Sequence, residues 1–330
     1  MTVRWWIATP AGRAGAIATI ALHADEPKSL EAALEDMDVP GVSVGSLRVR
    51  VVAGIDQCVI ARWSPVRAEV MPHGGVAVMR ALAAELADRF GAAHDPDPLD
   101  AYPESSSELE ARMLASLAHA ASPQATDVLL AQPQRWTNEH AGQTEHAGQL
   151  ARLINPPLVV AVGPANVGKS SLLNALAGRP AALVADVPGT TRDHVGAMLD
   201  VDGLVVRYVD TPGRGVVDVS DADRAALEAA DQLLANADLV LSCFDATASP
   251  IDAGGPTPAL RVRTRADLGG NAPPADVSTS AQTGDGIDAL ARLIRRALVS
   301  DEALDDPRPW AFWEGPSGFR VGSGRGRPRA

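Results

Sequence analysis

The chain has 330 residues, a hydrophobic fraction of 46% and a formal net charge of −12 at pH 7. This length allows two domains, each with its own core, and the acidic balance argues against a broad basic face for nucleic acid. The two cysteines, Cys58 and Cys243, are too few for a disulfide framework, which favours a reducing, cytoplasmic setting. The sequence has no run of 18 apolar residues, so we expect no membrane partner.

The first part of the chain predicts a smaller α+β domain over residues 1–95. Its strand-like runs are GAIATIAL, SLRVRVVAGI and CVIARW. The run HGGVAVMRALAAELADRF that follows has helical spacing, with Val78, Leu82 and Leu86 on one face.

Residues 96–154 are predicted to form a linker and a short helical segment. HDPDPLDAYPESSS is rich in Pro and Asp and indicates a linker. Two helical stretches follow, around 108–121 and 123–132, and Ser122 before Pro123 is the expected N-cap of the second.

Strands and helices alternate over residues 155–300. LVVAVG is a buried-strand run, and the Asp202–Gly203 pair between two apolar segments predicts a β-hairpin. ADLVLSCFDA and PALRVRT add two strands, and helical segments lie near 221–236 and 284–298. The pattern predicts an α/β domain with a mostly parallel sheet and helices on both faces.

Residues 301–330 are predicted to form an extended tail, in which PRPWAFW either docks a partner or packs on the domain.

The run GPANVGKS at 163–170 fits GxxxxGK(S/T) between a strand and the helical SLLNALAG. Glycines 163 and 168 let backbone N–H groups close around phosphates, and the helix adds its N-terminal dipole. Lys169 is expected to reach the β- and γ-phosphates and Ser170 to ligate Mg²⁺. The chain has 29 basic residues and only Lys28 and Lys169 are lysine, which favours a need for a compact ammonium at 169. This is a nucleotide-binding loop.

Three further runs separate a GTPase from other P-loop proteins. DTPG follows a strand, so that Asp210 is placed to hold Mg²⁺ through water and the Gly213 N–H to meet the γ-phosphate. GTTRD supplies Thr190 and Thr191 as candidate Mg²⁺ and γ-phosphate contacts. SAQTGDGI places the Ala281 N–H where it can touch guanine O6.

Together these motifs resemble the TrmE–Era–EngA–YihA group of GTPases, and within it the MnmE (TrmE) family of tRNA modification GTPases. The resemblance is strong over about 155–300 and weaker over 1–90, where IATPAGRAGAIATIAL and AEVMPHGGVAVMRAL carry it. It implies a P-loop G domain, GTP and GDP as ligands, Mg²⁺, and K⁺ bound by Asn166 in place of an arginine finger. A turn-capping role for Asn166 stays open. The family's water-orienting Glu aligns most nearly with Asp223, for which a solvated helix-start carboxylate is the alternative.

The family reads guanine with N-K-x-D, where this chain has Thr264, Arg265 and Asp267 in RVRTRADL. Asp267 keeps the carboxylate that accepts from guanine N1–H and N2–H₂, and Arg265 can cover the base face. Thr264 offers a hydroxyl in place of an amide, so we expect guanine preference with affinity weaker by about 1 to 2 kcal/mol.

The expected nucleotide-binding residues are Gly163, Asn166, Val167, Gly168, Lys169, Ser170, Ser171, Thr190, Asp210, Gly213, Thr264, Arg265, Asp267, Ser280 and Ala281. The expected catalytic residues are Lys169, Thr191, Gly213 and Asp223; the metal ligands are Ser170, Thr191 and Asp210 for Mg²⁺ and Asn166 for K⁺.

Three departures argue for a shortened relative. WSPVRAEV replaces the family's S-Y-T-G-E-D run, which is tied to folate binding and dimerisation, so folate is doubtful while a homodimer through the N-terminal domain stays open. The helical segment is short, and no cysteine follows Cys243, where the family ends in Cys-Ile-Gly-Lys.

Two functions follow from these motifs. One is a Mg²⁺-dependent, K⁺-stimulated GTPase switch acting with a protein or RNA partner in tRNA modification or at the ribosome. The other is a degenerate G domain that holds nucleotide with little or no turnover. An ATP-using kinase would need a catalytic base and acceptor site that the sequence does not offer.

Overall fold

The structure, a computed structural model, describes residues 3–9, 15–137, 142–178, 195–211, 231–251 and 257–313. Two compact units divide it, one formed by the described residues up to Ala118 and the other by those from His119 onward. Among the described residues, the helices are too short or too polar to cross a bilayer.

The first unit is built on a five-stranded antiparallel sheet in the order β1-β2-β5-β4-β3. Its strands are β1 (Val3–Ile7), β2 (Ile20–Ala24), β3 (Ser46–Val52), β4 (Asp56–Ser64) and β5 (Arg67–Met71). Two helices, α1 (Pro27–Asp36) and α2 (Val76–Phe90), supply the other half of the core.

The predicted apolar stripe of α2 is confirmed. Leu82 and Leu86 are buried in the core, and Val78 packs at its edge. The indole N–H of Trp5 donates to Gly91 O at 2.9 Å just after α2, which fixes the end of the helix against β1. The smaller sheet-containing region expected before the nucleotide-binding motifs is therefore present.

Short helices connect the sheet of the first unit with that of the second: α3 (Pro98–Ala101), α4 (Glu108–His119), α5 (Ala125–Leu130), α6 (Gln132–Thr137) and α7 (Ala147–Ile154). The expected capping role of Ser122 is wrong, since α5 begins at Ala125 without a side-chain cap. The Ser122 hydroxyl instead accepts from the backbone N–H of Val205 at 3.0 Å. A buried backbone N–H without a hydrogen-bond partner is costly. The N–H of Val205 therefore uses the Ser122 hydroxyl that would otherwise cap the helix.

The second unit contains a six-stranded sheet in the order β11-β10-β9-β6-β8-β7. The strands are β6 (Leu158–Val162), β7 (Val195–Val201), β8 (Leu204–Asp210), β9 (Leu239–Phe244), β10 (Ala259–Arg263) and β11 (Val277–Ser278). All adjacent pairs are parallel except β7 and β8, which form the antiparallel hairpin predicted at Asp202–Gly203.

Both faces of this sheet are covered. On β6, Val160 packs with Leu233 and Leu234 on one face, while Val159 and Ala161 are fully buried on the other. The described helices of the unit after α7 include α8 (Lys169–Ala177), α9 (Ile287–Leu298) and α10 (Asp301–Asp305). This is the mostly parallel α/β sheet with helices on both faces that the sequence predicts, and it confirms the P-loop fold class.

The start of the predicted extended tail is folded, so that expectation is wrong for residues 301–313. These residues begin with helix α10, and the Trp310 and Phe312 side chains are buried. The Trp310 N–H donates to the buried Gln132 Oε1 at 2.8 Å, and Arg308 and Thr144 donate to the Asp306 carboxylate. The buried rings of Trp310 and Phe312 and the hydrogen-bonded Asp306 carboxylate hold the segment against the second unit. Of the two alternatives for PRPWAFW, packing on the domain is therefore the one that the structure shows. Residues 314–330 lie outside the described residues.

Candidate nucleotide-binding site

The parallel strands bring their carboxyl ends to one edge of the sheet, where ligands bind in open α/β folds. The loop 163–170 follows β6, and Asp210 ends β8. Asp245, Thr264 and Thr279 directly follow β9, β10 and β11. Five separate parts of the chain therefore meet along this edge.

The loop between β6 and α8 has a backbone that requires glycine. Gly163 has φ 157°, and a Cβ there would lie 2.2 Å from the carbonyl oxygen of Cys243 on β9. Gly168 has φ 100° and is the N-cap of α8. Asn166 is exposed and takes φ 63°, a region that Asn tolerates better than most residues. The loop is thus held close to β9 and opens directly into the N-terminus of α8, as a phosphate-binding loop requires.

Lys169 lies at the first turn of α8 with its side chain buried within the loop. Its ammonium donates to Gly163 O at 3.2 Å and to Pro164 O at 3.0 Å. The residue is only 7% exposed. The two carbonyls that accept from this buried ammonium are neutral, so they do not balance its positive charge. An anion bound in the loop would balance it.

Ser170 and Asp210 meet across the site. The Ser170 hydroxyl donates to Asp210 Oδ2 at 2.5 Å, although the two residues are far apart in sequence. The other carboxylate oxygen, Oδ1, is buried and has no hydrogen-bond partner in the part of the chain that the structure describes. A hydroxyl and a carboxylate with an unused oxygen are the donors that Mg²⁺ prefers, so these residues fit the expected ion.

A pocket of about 270 Å³ lies beside the loop. It is lined by residues of the loop and α8, of the segment after β10 and of the segment after β11: Gly168, Ser171, Leu172, Thr264, Arg265, Asp267, Leu268, Thr279, Ala281 and Gln282. The structure therefore brings the two predicted base-reading segments to one pocket next to the phosphate loop.

Thr264 ties this pocket to the phosphate loop. Its hydroxyl lies within hydrogen-bond distance of Val167 O in the loop and 3.0 Å from Phe244 O at the end of β9. The residue is 3% exposed. Thr264 therefore joins three elements of the site by one short side chain.

Arg265 lies across the mouth of the loop. It adopts φ 53°, and its aliphatic stem lies close to Gly168. Its guanidinium is 3.3 Å from Asp245 Oδ2, while Asp245 Oδ1 accepts from the Thr247 N–H and hydroxyl. Burial alone would raise the pKa of Asp245, but the hydrogen bonds from Thr247 and the Arg265 guanidinium hold that pKa below its ordinary value. Asp245 stays ionised and fixes the direction of the Arg265 side chain.

Asp267 stands exposed on the pocket wall, in a short 3₁₀ turn over Ala266–Leu268. The opposite segment is held by Ser280, whose hydroxyl accepts from the Thr283 N–H at 3.2 Å and whose N–H donates to Asp285 O at 2.9 Å. Ala281 then lines the pocket. A carboxylate and a well-supported backbone turn thus share one cavity.

Four predicted residues, Thr190, Thr191, Gly213 and Asp223, lie outside the described residues, and their roles stay predictions. Sequence reasoning missed Asp245. The signal was present, because an Asp directly after a buried strand, in SCFDA, comes to the same sheet edge as the other site residues.

Comparisons with known proteins match the part of the chain that contains this site. Residues 158–261 match the family model described as 50S ribosome-binding GTPase. The chain is 45% identical over 158 residues to the tRNA modification GTPase MnmE of Acidiphilium cryptum, a match that covers 46% of this chain and 36% of that protein. The corresponding protein of Thermus thermophilus is 41% identical over 150 residues, covering 43% and 33%. Era of Aquifex aeolicus, crystallised with GDP and AlF₄⁻, is similar at a TM-score of 0.33 and 28% identity, over 43% of this chain and 56% of that one.

The sheet order and the loop before α8 together define a P-loop domain, and the matched residues make it similar to the domains of GTPases. Over about 150 residues the chain is similar to proteins named tRNA modification GTPase MnmE. The chain spans about a third of the length of the curated relatives it matches.

Proposed function

We propose that the chain binds GTP and GDP at the edge of the six-stranded sheet and hydrolyses GTP to GDP and phosphate with Mg²⁺. The observation that carries the proposal is the joining of a P-loop, with buried Lys169, to a pocket that presents the Asp267 carboxylate. Guanine is distinguished from adenine because its N1–H and N2–H₂ donors match that carboxylate, whereas adenine would leave it unpaired.

The phosphates would lie in the loop and accept hydrogen bonds from its backbone N–H groups. Their oxygens would replace Gly163 O and Pro164 O as acceptors of the Lys169 ammonium. Ser170 and Asp210 would hold Mg²⁺, which when bound neutralises charge on the β- and γ-phosphate oxygens. Thr191 and Gly213 would meet the ion and the γ-phosphate, and Asp223 would orient water.

Potassium stimulation through Asn166 is part of the proposal. Asn166 is exposed at φ 63° in the loop, which leaves its amide free of the core. K⁺ there would add positive charge beside the phosphates, in the role that the resemblance assigns to it in place of an arginine finger.

In the cell we propose a cytoplasmic switch that works with a protein or RNA partner, in tRNA modification or at the ribosome, as the relatives' names suggest. A homodimer through the first unit is supported by edge strand β3, which exposes Leu47, Val49 and Val51 on one face. Folate is not included, since WSPVRAEV stands where the resemblance requires a different run.

The test is nucleotide turnover on purified protein, GTP against ATP, with Mg²⁺, in KCl and then in NaCl. Lys169→Ala should abolish turnover. Lys28→Ala changes the second of the two lysines, which lies in α1 of the first unit, and should leave turnover unchanged. GTP-selective turnover faster in KCl supports the whole proposal. GTP binding without turnover in either salt would instead indicate a scaffold that holds nucleotide without hydrolysing it. Equal use of ATP and GTP would overturn the proposal that Asp267 distinguishes guanine from adenine.

A further inference from the structure

The single hydroxyl of Thr264 is fully used inside the protein. It is buried at 3% exposure, and it has the carbonyl oxygens of Val167 and Phe244 as neighbours. A hydroxyl carries one hydrogen, and both neighbours are acceptors, so that hydrogen goes to one of them. Thr264 lines the pocket beside the loop but has no hydrogen left for a ligand.

The other side chains of this segment do not replace that donor. Asp267 presents carboxylate oxygens, which accept hydrogen bonds. The Arg265 guanidinium turns to Asp245 at 3.3 Å, and the Thr279 hydroxyl donates to Arg263 O at 3.2 Å. In the segment after β10, Thr264 therefore has no hydrogen left for a bound base and the Arg265 guanidinium lies against Asp245, so the Asp267 carboxylate is the group that we expect the base to meet.

A guanine base has two kinds of edge. N7 and O6 are acceptors and need donors, whereas N1–H and N2–H₂ are donors and need an acceptor such as a carboxylate. We propose that this pocket reads the donor edge through Asp267 and is indifferent to N7, so that it accepts 7-deazaguanine nucleotides as well as guanine nucleotides. Thr264 is then a positioning residue of the phosphate loop and makes no contact with the base. The inference rests on the proposed guanine-nucleotide function and extends it to a ligand class.

An amide at position 264 would change the outcome. The Asn side chain carries two N–H donors, one of which could keep the bond to Val167 O while the other faces the base. Thr264→Asn should therefore create a contact to N7. Thr264→Val, which keeps the shape and removes the hydroxyl, should loosen the loop for every nucleotide alike.

The experiment is calorimetric titration of the full chain with GDP and with 7-deaza-GDP. For the natural chain the two dissociation constants should agree within about twofold, and Thr264→Asn should prefer GDP by about fivefold, the factor for one hydrogen bond. Thr264→Val should bind both nucleotides more weakly with their ratio unchanged.

A natural chain that binds 7-deaza-GDP about fivefold more weakly than GDP would overturn the inference and leave the proposed function intact. The same holds if Thr264→Val changes the ratio. Because the natural chain alone gives this comparison, misfolding of a variant does not remove the test. A chain that binds neither nucleotide would contradict the proposed function itself.

Discussion

The ion pair between Asp245 and Arg265 should couple the end of β9 to nucleotide affinity. Asp245→Asn keeps an oxygen for the Thr247 N–H and hydroxyl, but it places an amide donor opposite the Arg265 guanidinium. The guanidinium then loses its partner, and the stem that lies against Gly168 loses its direction. We expect weaker nucleotide binding with little change in the fold.

The magnitude follows from the exposure of the two side chains. The Asp245 carboxyl side chain is 7% exposed and that of Arg265 is 48% exposed, so solvent screens one end of the pair. Fully exposed pairs contribute about 0 to 1 kcal/mol, and a hydrogen bond to a buried charge contributes more, so about 1 kcal/mol is reasonable here. That corresponds to about fivefold weaker GDP binding.

A double-mutant cycle tests the coupling, with GDP affinity measured by titration. Arg265→Met keeps the apolar stem and removes the guanidinium, so it is the matched partner substitution. Asp245→Asn, Arg265→Met and the double variant should all weaken GDP binding by a similar factor, because each removes the same ion pair. Additive losses, or an unchanged affinity in Asp245→Asn, would refute the reasoning.

Three further predictions concern the loop, the metal site and the folded start of the tail. Gly163→Ala should weaken GDP binding by at least about fivefold, because its Cβ would lie 2.2 Å from a strand carbonyl and overpacking of this kind costs about 1 to 3 kcal/mol. The same change at Gly148, where a Cβ meets nothing within 4 Å, is the control, and its GDP affinity should not change. In Asp210→Asn the affinity for GTP should lose its dependence on Mg²⁺, which titration with and without EDTA measures, and an undiminished Mg²⁺ effect would contradict the assignment. The Asp306 carboxylate accepts from Arg308, which with a hydrogen bond from Thr144 holds the pKa of Asp306 well below the ordinary 3.8. Its stabilising contribution is therefore present above about pH 4 and lost as the pH falls further, so Asp306→Asn should lower the melting temperature at pH 7 and the difference should shrink below pH 4.

Local sequence predicted the parts of the site that depend on neighbours in the chain. GPANVGKS required only its flanking strand and helix to indicate a phosphate loop, and the structure places Lys169 within it. The Asp202–Gly203 turn likewise follows from backbone preference. In both cases the interactions that decide the structure lie within a few residues.

Contacts between distant parts of the chain could not be predicted in this way. The bond from Thr264 to Val167 and the pairing of Arg265 with Asp245 join different strands and depend on the sheet order. The fold of residues 301–313 was missed for the same reason, because Trp310 finds its partner, Gln132, far away in the sequence.

The central claim is that Asp267 selects guanine, and titration of the natural chain and of Asp267→Asn with GDP, ADP and xanthosine diphosphate tests it most directly. Xanthine carries a carbonyl where guanine has N2–H₂, so an Asn amide matches xanthine as the carboxylate matches guanine. We predict that the natural chain binds GDP far more tightly than ADP and that Asp267→Asn transfers the preference to xanthosine diphosphate. Equal binding of ADP and GDP by the natural chain, or an unchanged GDP preference in Asp267→Asn, would contradict the account.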